Sequence, residues 1–287
     1  MRKALSSLVS VRQLPHRGRG VIATRPIRRG EALIDTVPMA AVLKSSSPSS
    51  TDRLCSSCFT PIEDSRVMSL ERQCTDSCAH EHERGGGALL DRVDLSPLHA
   101  LHREQSRKFP LIIGMLLSSL LAEIKQSGKV PESWAPLELC YAELHDEAAP
   151  QVEAEHHALL TAFAAAGLAN EQTLQLFMPL SRYKRLLGAA QLNAFELTLS
   201  HGASVSALLP GVASCFNHSC SPNVLISCGA STHVSFVAGE DVAADEELCI
   251  SYLDVEQSVS DRRHLLLHKY GFECNCERCV RESGQRL

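Results

Sequence analysis

Residues 215–224 read CFNHSCSPNV and place two cysteines, a histidine and two asparagines in one short segment. Cysteine and histidine at this density are typical of a metal site. No second Cys/His pair at zinc-finger spacing follows directly, so the segment is incomplete as a site of its own. The question it raises is what Asn217, His218 and Cys220 contact.

The composition of the 287-residue chain sets broad limits on its function. Hydrophobic residues make up 44% of the chain, enough for a core, and the length suits one large domain or a domain with small modules. The net charge of −5 gives no global sign of nucleic-acid binding. We therefore predict no direct nucleic-acid contact and a mild preference for a basic partner.

The most apolar run of the chain is residues 109–124, which read FPLIIGMLLSSLLAEI. The run has 16 residues and includes two serines and a glutamate, whereas a helix needs about 20 residues to cross a bilayer. We predict a buried core helix here and no membrane association.

The order of periodic segments predicts an α+β domain interrupted by insertions. Residues 8–43 alternate short β-like runs with turns, residues 97–200 have helical periodicity, and β-like runs return within 224–252. A last helix is predicted from about residue 261 to 270, with Ser260 as its N-cap. This order argues against a regular alternation of strands and helices.

Four of the twelve cysteines form a complete set at zinc spacing. Cys55 and Cys58 are followed by Cys74 and Cys78. Such spacing is common in structural zinc sites, which are closed and support folding, not catalysis. We predict one Zn2+ here, and the two histidines just beyond the set are less favoured as ligands.

Three further cysteines, Cys274, Cys276 and Cys279, lie close together near the end of the chain. They leave a tetrahedral Zn2+ one ligand short. The alternative is a set of free surface thiols, which susceptibility to oxidation disfavours. Clustered cysteines with no signal peptide before them indicate metal in a reducing compartment, so we expect the nucleus, the cytoplasm or both.

Four motifs follow one another along the chain. They are Arg17-Gly18-Arg19-Gly20, NHSC at 217–220, EELCISY at 246–252 and CNCERC at 274–279. In this order and spacing they strongly resemble a SET-domain protein lysine methyltransferase whose SET core is split by a zinc insert, as in the SMYD (SET and MYND) family. The resemblance covers roughly residues 8–44 and 182–280.

The resemblance implies a β-rich SET fold in which the NHSC segment is threaded through a loop as a pseudoknot, a rare exception to unthreaded topology. It also implies S-adenosylmethionine as the methyl donor and a post-SET zinc, for which Cys220 is the predicted fourth ligand. The implied segments are 1–44 (N-terminal part of the SET domain), 45–87 (reduced MYND-like zinc insert), 88–200 (helical insert), 201–256 (C-terminal part of the SET domain with the NHSC segment) and 257–287 (post-SET zinc region).

The chain departs from the family at two points. A MYND module carries paired ligands for two zinc ions, whereas residues 45–87 match only the first and third pairs, so we predict one zinc in the insert. The helical-repeat C-terminal domain of larger members is also absent from the 287 residues, so we expect a more open substrate cleft.

The resemblance assigns catalysis to two tyrosines. Tyr252, at the end of the run 248–252, would orient the lysine amine and the transferring methyl group, and Tyr270 is the second candidate. The alternatives are that Tyr252 is an ordinary strand residue packed on the core and that Tyr270 closes the end of a helix.

The donor is expected to contact the NHSC segment and the glycine-rich loop. Asn217 would bind its amino-acid end, His218 would touch the adenine side largely through its backbone, and Phe272 would cover the adenine. The alternatives are that Asn217 braces the threaded loop and that Phe272 only packs on the zinc loop. The loop residues expected to contact the donor are Arg17, Gly18, Arg19 and Gly20, whose glycines allow close approach of the backbone.

Asn193 is a further predicted donor contact. With Leu186, Ala190 and Leu197 it lies on the apolar face of the predicted helix, where a polar side chain needs a partner. In the family an asparagine matching this position contacts the donor. The alternative is an internal hydrogen bond to the core.

These residues predict an S-adenosylmethionine-dependent protein-lysine N-methyltransferase, a monomer with two zinc sites that acts on a histone or non-histone lysine. The alternative is a non-catalytic SET and zinc scaffold that binds another protein, because a fold does not fix a function.

Overall fold

The computed structural model describes residues 7–44, 54–62, 74–75, 78–79, 82, 86–105, 108–131, 134–141 and 149–284. Within them the chain forms two compact units, each discontinuous in sequence. The first unit comprises residues 7–37, 210–227 and 234–284, and the second comprises residues 38–209 and 228–233, within the described ranges.

The strands are β1 (Val9–Leu14), β2 (Gly18–Ala23), β3 (Ala32–Thr36), β4 (Ala40–Leu43), β5 (Ala194–Thr198), β6 (Ser204–Leu208), β7 (Asn217–His218), β8 (Val224–Cys228), β9 (Val234–Ala238) and β10 (Glu247–Ile250). The α-helices are α1 (Gly87–Leu90), α2 (Ser96–Gln105), α3 (Phe109–Ser127), α4 (Ala149–Ala165), α5 (Glu171–Phe177), α6 (Leu180–Asn193), α7 (Val259–Tyr270) and α8 (Glu277–Glu282). Short 3-10 helices cover Ala135–Glu138 and Gly211–Cys215.

Two sheets build the first unit. In one, β1 and β2 form an antiparallel hairpin, β10 pairs antiparallel with β2, and β7 pairs parallel with β10. In the other, β9 lies between β3 and β8. Alternate residues of β9, namely Val234, Phe236 and Ala238, are buried, as expected for a strand with one face on a core. The first sheet therefore brings the glycine-rich loop, the NHSC segment and the EELCISY motif together.

The second unit has its core around α3 and the sheet of β4, β6 and β5. Proline occupies the first turn of α3, and Gly128 ends the helix with a left-handed φ of 70°. By length and composition α3 could cross a membrane, but 61% of its most apolar window is buried within the protein. The helix thus has the burial of a core helix, as the sequence predicts.

Two boundaries differ from the prediction. The sequence predicts helical periodicity to residue 200, but α6 ends at Asn193 and residues 194–198 form β5. Every residue of β5 is paired with β6, from Ala194 opposite Leu208 to Thr198 opposite Ser204, so pairing outweighs the local helical pattern. Leu197 consequently lies on a strand and does not share the helix face of Asn193.

The last helix also begins earlier than predicted. Ser258, not Ser260, is its N-cap, and the Ser258 hydroxyl accepts a hydrogen bond from the backbone N–H of Asp261 at 3.2 Å. The helix ends at Tyr270, and Gly271 caps it with a φ of 75°, a left-handed conformation that glycine adopts readily. This cap fixes the direction in which the chain leaves Tyr270 toward the cysteine tail.

Candidate functional site

Four aromatic rings that the sequence singles out lie together in the first unit. The ring centroids of Tyr252 and Tyr270 are 4.8 Å apart, and those of His218 and Tyr252 are 5.4 Å apart. Phe272 lies 6.2 Å from His218 and 6.4 Å from Tyr270. Tyr252 follows the end of β10, and Tyr270 is the last residue of α7, so a strand end and a helix end form this cluster.

Tyr252 is held at both its backbone and its hydroxyl group. The hydroxyl donates to the backbone carbonyl of Phe216 at 2.6 Å, and the backbone N–H donates to Nδ1 of His218 at 3.0 Å. A tyrosine hydroxyl that donates its proton still has an oxygen able to accept a hydrogen bond. The contact therefore orients the Tyr252 oxygen in a way that suits a role as acceptor.

The same contacts define the state of His218. Its side chain is buried, and burial together with the charges of Arg17 and Arg262 lowers the pKa of His218 to about 4, so the ring is neutral at pH 7. Because Nδ1 accepts from Tyr252, the proton lies on Nε2, which is 3.2 Å from the sulfur of Cys220. The imidazole therefore connects Tyr252 with Cys220.

Glu247 connects polar residues of the glycine-rich loop and the NHSC segment. Its carboxylate accepts from the amide nitrogen of Asn217 at 2.8 Å and lies 3.2 Å from the Arg17 guanidinium. The Asn217 amide also donates to the carbonyl of Arg19 at 3.2 Å. Arg17 further donates to the carbonyl of His218 at 3.0 Å. The glycine-rich loop, β7 and β10 are thus connected through one carboxylate.

The sequence prediction missed Glu247 as a site residue, although it lies in the EELCISY motif. The neighbouring acids obscured it, because a run of carboxylates is more often a solvated loop. The signal that could have identified it is its position, because a charged residue directly before a predicted buried strand (248–252) needs a partner.

Gly20 lies against these side chains and leaves no room for a side chain of its own. A Cβ atom at this position would lie 2.3 Å from Leu14, 3.0 Å from the Glu247 carboxylate and 3.1 Å from the Asn217 amide. The Glu247 carboxylate, the Asn217 amide and the Arg19 carbonyl are polar groups that suit the amino-acid end of S-adenosylmethionine, which carries an ammonium and a carboxylate. Gly18 has a different role: it adopts a left-handed φ of 69° where the turn of the β1–β2 hairpin leads into β2.

Asn193 lies in the second unit, at the end of α6. Its amide nitrogen donates to the carbonyl of Cys140 at 2.7 Å and to that of Ala189 at 2.8 Å. These are the internal hydrogen bonds that the sequence left as an alternative. A contact of Asn193 with the donor stays a prediction.

The tail group comprises Cys220, Cys274, Cys276 and Cys279, whose sulfur atoms all lie within 4.8 Å of one another. Two of the separations are 3.5 Å, between Cys220 and Cys279, and 4.0 Å, between Cys220 and Cys274. A tetrahedron with Zn–S bonds of about 2.3 Å has sulfur atoms about 3.8 Å apart. The four residues therefore fit a zinc ion, and Cys220 occupies the position predicted for the fourth ligand.

The insert group comprises Cys55, Cys58, Cys74 and Cys78, again within 4.8 Å of one another. Cys58 lies 3.5 Å from Cys74 and 3.7 Å from Cys78, which also fits a zinc ion. His82 is instead bonded to Asp91 at 2.8 Å, and His80 lies outside the described residues. The predicted one-zinc insert thus has its complete set of thiol ligands.

Known proteins resemble this chain in the same region. A comparison with protein families matches residues 18–253 to the SET domain. The chain belongs to the SET domain family. The SET domain match includes Gly18, Gly20, Asn217, His218 and Tyr252, whereas Arg17 precedes it and the cysteine tail follows it.

Two curated relatives with SET-type names match this chain over most of their own length. The chain is 27% identical to "Histone-lysine N-methyltransferase ATXR4" of Arabidopsis thaliana over 91% of this chain and 83% of that protein. It is 21% identical to a SET and MYND domain-containing protein of Dictyostelium discoideum over 81% of this chain and 73% of that protein. Among solved structures, the SET domain of LSMT bound to lysine and AdoHcy has 15% identity and a TM-score of 0.40, covering 96% of this chain and 54% of that one.

Proposed function

We propose that this chain is an S-adenosylmethionine-dependent protein-lysine N-methyltransferase. Membership of the SET domain family and the name of the Arabidopsis relative support this reaction class. The observation that carries the proposal is the joining of the tyrosine cluster to the NHSC segment through His218, with its nitrogens toward Tyr252 and Cys220.

The residues of the chain suit what this reaction requires. When bound, S-adenosylmethionine supplies an electrophilic methyl group on a sulfonium. Asn217, Glu247 and the Arg19 carbonyl would hold its ammonium, and Arg17 would face its carboxylate. Phe272 would cover its adenine.

The acceptor lysine must present a neutral amine, although the pKa of free lysine is about 10.4. Surroundings formed by Tyr252, Tyr270 and Phe272 disfavour the charged ammonium by desolvation and so lower that pKa. The Tyr252 oxygen, oriented by its bond to Phe216, would accept from the amine and align its lone pair with the methyl group. The amine nitrogen would gain the methyl group and become a methylated ammonium, and the donor would leave as its neutral thioether.

The test uses the full chain, labelled donor and a set of histone and non-histone proteins. Wild type should transfer label to lysine, and Tyr252→Phe should retain donor binding by calorimetry but lose at least about tenfold in rate, since one positioned hydrogen-bonding group is worth 1.4 kcal/mol or more in the transition state. Absence of both transfer and donor binding in wild type would sink the proposal. Donor-independent capture of a defined protein partner would favour the scaffold instead.

The finer assignments are part of the proposal. A protein lysine is the substrate, and the screen decides between histone and non-histone proteins. A monomeric state and a location in the nucleus or the cytoplasm stay predictions, to be checked by light scattering and by imaging of the tagged protein.

A further inference from the structure

Arg262 is the largest fully buried side chain of the described residues, with 1% of its surface exposed. It lies in the first turn of α7, where Arg262 and Leu266 are the buried residues and the neighbouring Arg263 is partly exposed. A buried cation is costly unless its charge and its donors are satisfied. Burial of the Arg262 guanidinium therefore requires partners that satisfy its charge and its donors, which an arginine facing solvent would not need.

The five N–H donors of the Arg262 guanidinium each have an acceptor. Nε donates to the sulfur of Cys220 at 3.3 Å, and Nη2 donates to the sulfur of Cys279 at 3.8 Å and to the Glu282 carboxylate. Nη1 donates to the backbone carbonyls of Gln257 and Val255. Two sulfur atoms of the tail group thus receive hydrogen bonds from one buried cation.

An ion pair with Glu282 alone would not account for this geometry. Glu282 is about one-third exposed and is shared with Arg278, so a more exposed lysine could pair with it as well. The neighbouring Arg263 shows the simpler arrangement, since it bonds the carbonyl of Cys274 at 3.2 Å and faces Glu273. Arg262 differs in that its Nε and Nη2 groups donate to the sulfur atoms of Cys220 and Cys279.

We propose that Arg262 is a positioning residue of the tail zinc site, which stabilises the zinc-bound thiolates of Cys220 and Cys279 by donating to both. A zinc ion bound by four thiolates carries excess negative charge, and a buried guanidinium offsets part of it. Arg262 also ties three separate segments, α7, α8 and the NHSC segment, to one metal. The inference rests on the zinc site and is independent of methyl transfer.

The test compares zinc retention and cysteine reactivity in the zinc-loaded full chain. Arg262→Met removes all five donors, and Arg262→Lys keeps the positive charge but replaces the planar guanidinium with a single ammonium group. With excess chelator and an alkylating reagent, mass spectrometry follows modification of Cys276 and Cys279. Because loss of an outer-shell partner typically lowers metal affinity 10–100-fold, both variants should expose these cysteines at least about tenfold faster than wild type, with the larger effect in Arg262→Met.

Two controls make the result specific. Cys55 and Cys58 of the insert group should be modified at the wild-type rate in every variant, and Arg263→Met should change modification of the tail by less than about threefold, because Arg263 donates to the backbone carbonyl of Cys274. Wild-type protection of the tail in Arg262→Met, or equal loss in Arg263→Met, would overturn the proposal.

If Arg262→Met does not fold by circular dichroism, Arg262→Lys decides: wild-type protection in that variant overturns the proposal, and faster modification upholds it. A wild-type tail that binds no zinc also overturns it and leaves the methyl-transfer proposal to its own test.

Discussion

Replacing Glu247 with glutamine tests how the glycine-rich loop and the NHSC segment are held for donor binding. Glutamine has nearly the same shape as glutamate but is neutral and offers one acceptor oxygen where the carboxylate offers two. The two carboxylate oxygens now face Arg17 at 3.2 Å and Asn217 at 2.8 Å. In Glu247→Gln, one of these two donors must therefore face an N–H group.

The size of the effect follows from the exposure of the partners. The Arg17 side chain is 44% exposed and that of Glu247 is 20% exposed, so screening limits their ion pair to ~1 kcal/mol or less. The shorter contact with Asn217 is a hydrogen bond to a charged group, worth about 1.5–3 kcal/mol. If this contact fixes the Asn217 amide for the donor, its loss should raise the Kd roughly 10- to 150-fold.

The assay is calorimetric titration with S-adenosylhomocysteine, with thermal unfolding measured in parallel to exclude gross destabilisation. Asp245→Asn is the matched control, because Asp245 forms an exposed ion pair with Arg12 in the same unit and asparagine tolerates its positive φ of 65°. The control should bind with the wild-type Kd.

A Kd within twofold of wild type in Glu247→Gln would refute this reasoning, provided that wild type binds. An Arg17→Met and Glu247→Gln double-mutant cycle then apportions the loss. A coupling above about 1 kcal/mol would contradict the assignment of most of the effect to Asn217.

Three further predictions address other parts of the chain. Gly20→Ala should weaken S-adenosylhomocysteine binding roughly tenfold but lower the free energy of unfolding by only about 1 kcal/mol. The nearest clash, with Leu14 at 2.3 Å, involves the flexible end of a side chain, whereas Glu247 and Asn217, at 3.0 and 3.1 Å, are held by their own contacts. Calorimetry measures the loss of binding, and denaturant unfolding measures the loss of stability. Cys220→Ser should release about one equivalent of zinc, measured by atomic absorption, and also weaken donor binding; unchanged zinc content would remove Cys220 from the ligand set. Burial opposes ionisation of Glu196, but hydrogen bonds, chiefly from Lys108, lower the pKa of this carboxylate, so its contribution to stability is present above pH ~4.3 and lost as the pH falls through the folded pKa. Glu196→Gln should therefore lower the free energy of unfolding by ~1 kcal/mol at pH 7 and by less at pH 3. Equal losses at both pH values would contradict this account.

The sequence predicted those parts of the fold that short-range patterns determine. Alternation in residues 8–43 and the apolar run that became α3 need only neighbours along the chain, and both predictions were confirmed. The helix proposed for residues 194–200 failed because β5 exists through pairing with β6, which a local window does not see.

The candidate site divides in the same way. Spacing identified the insert group and the three cysteines of the tail, and the resemblance, through the NHSC segment, pointed to Cys220 as the fourth ligand. Glu247 and Arg262 were missed, because their partners Asn217 and Cys220 lie 30 and 42 residues away along the chain. Each also lies beside a residue of the same charge, and such runs are usually predicted to face solvent.

His218 explains why the NHSC segment carries both a predicted donor ligand and a zinc ligand. Its Nδ1 fixes the backbone of Tyr252, and its Nε2–H is directed at the sulfur of Cys220. A zinc-bound thiolate is a stronger acceptor than a neutral thiol, so metal at the tail group would strengthen the contact that holds this tautomer. The imidazole would then present Nδ1 to Tyr252 more rigidly. We therefore expect zinc in the tail to position Tyr252 without touching it.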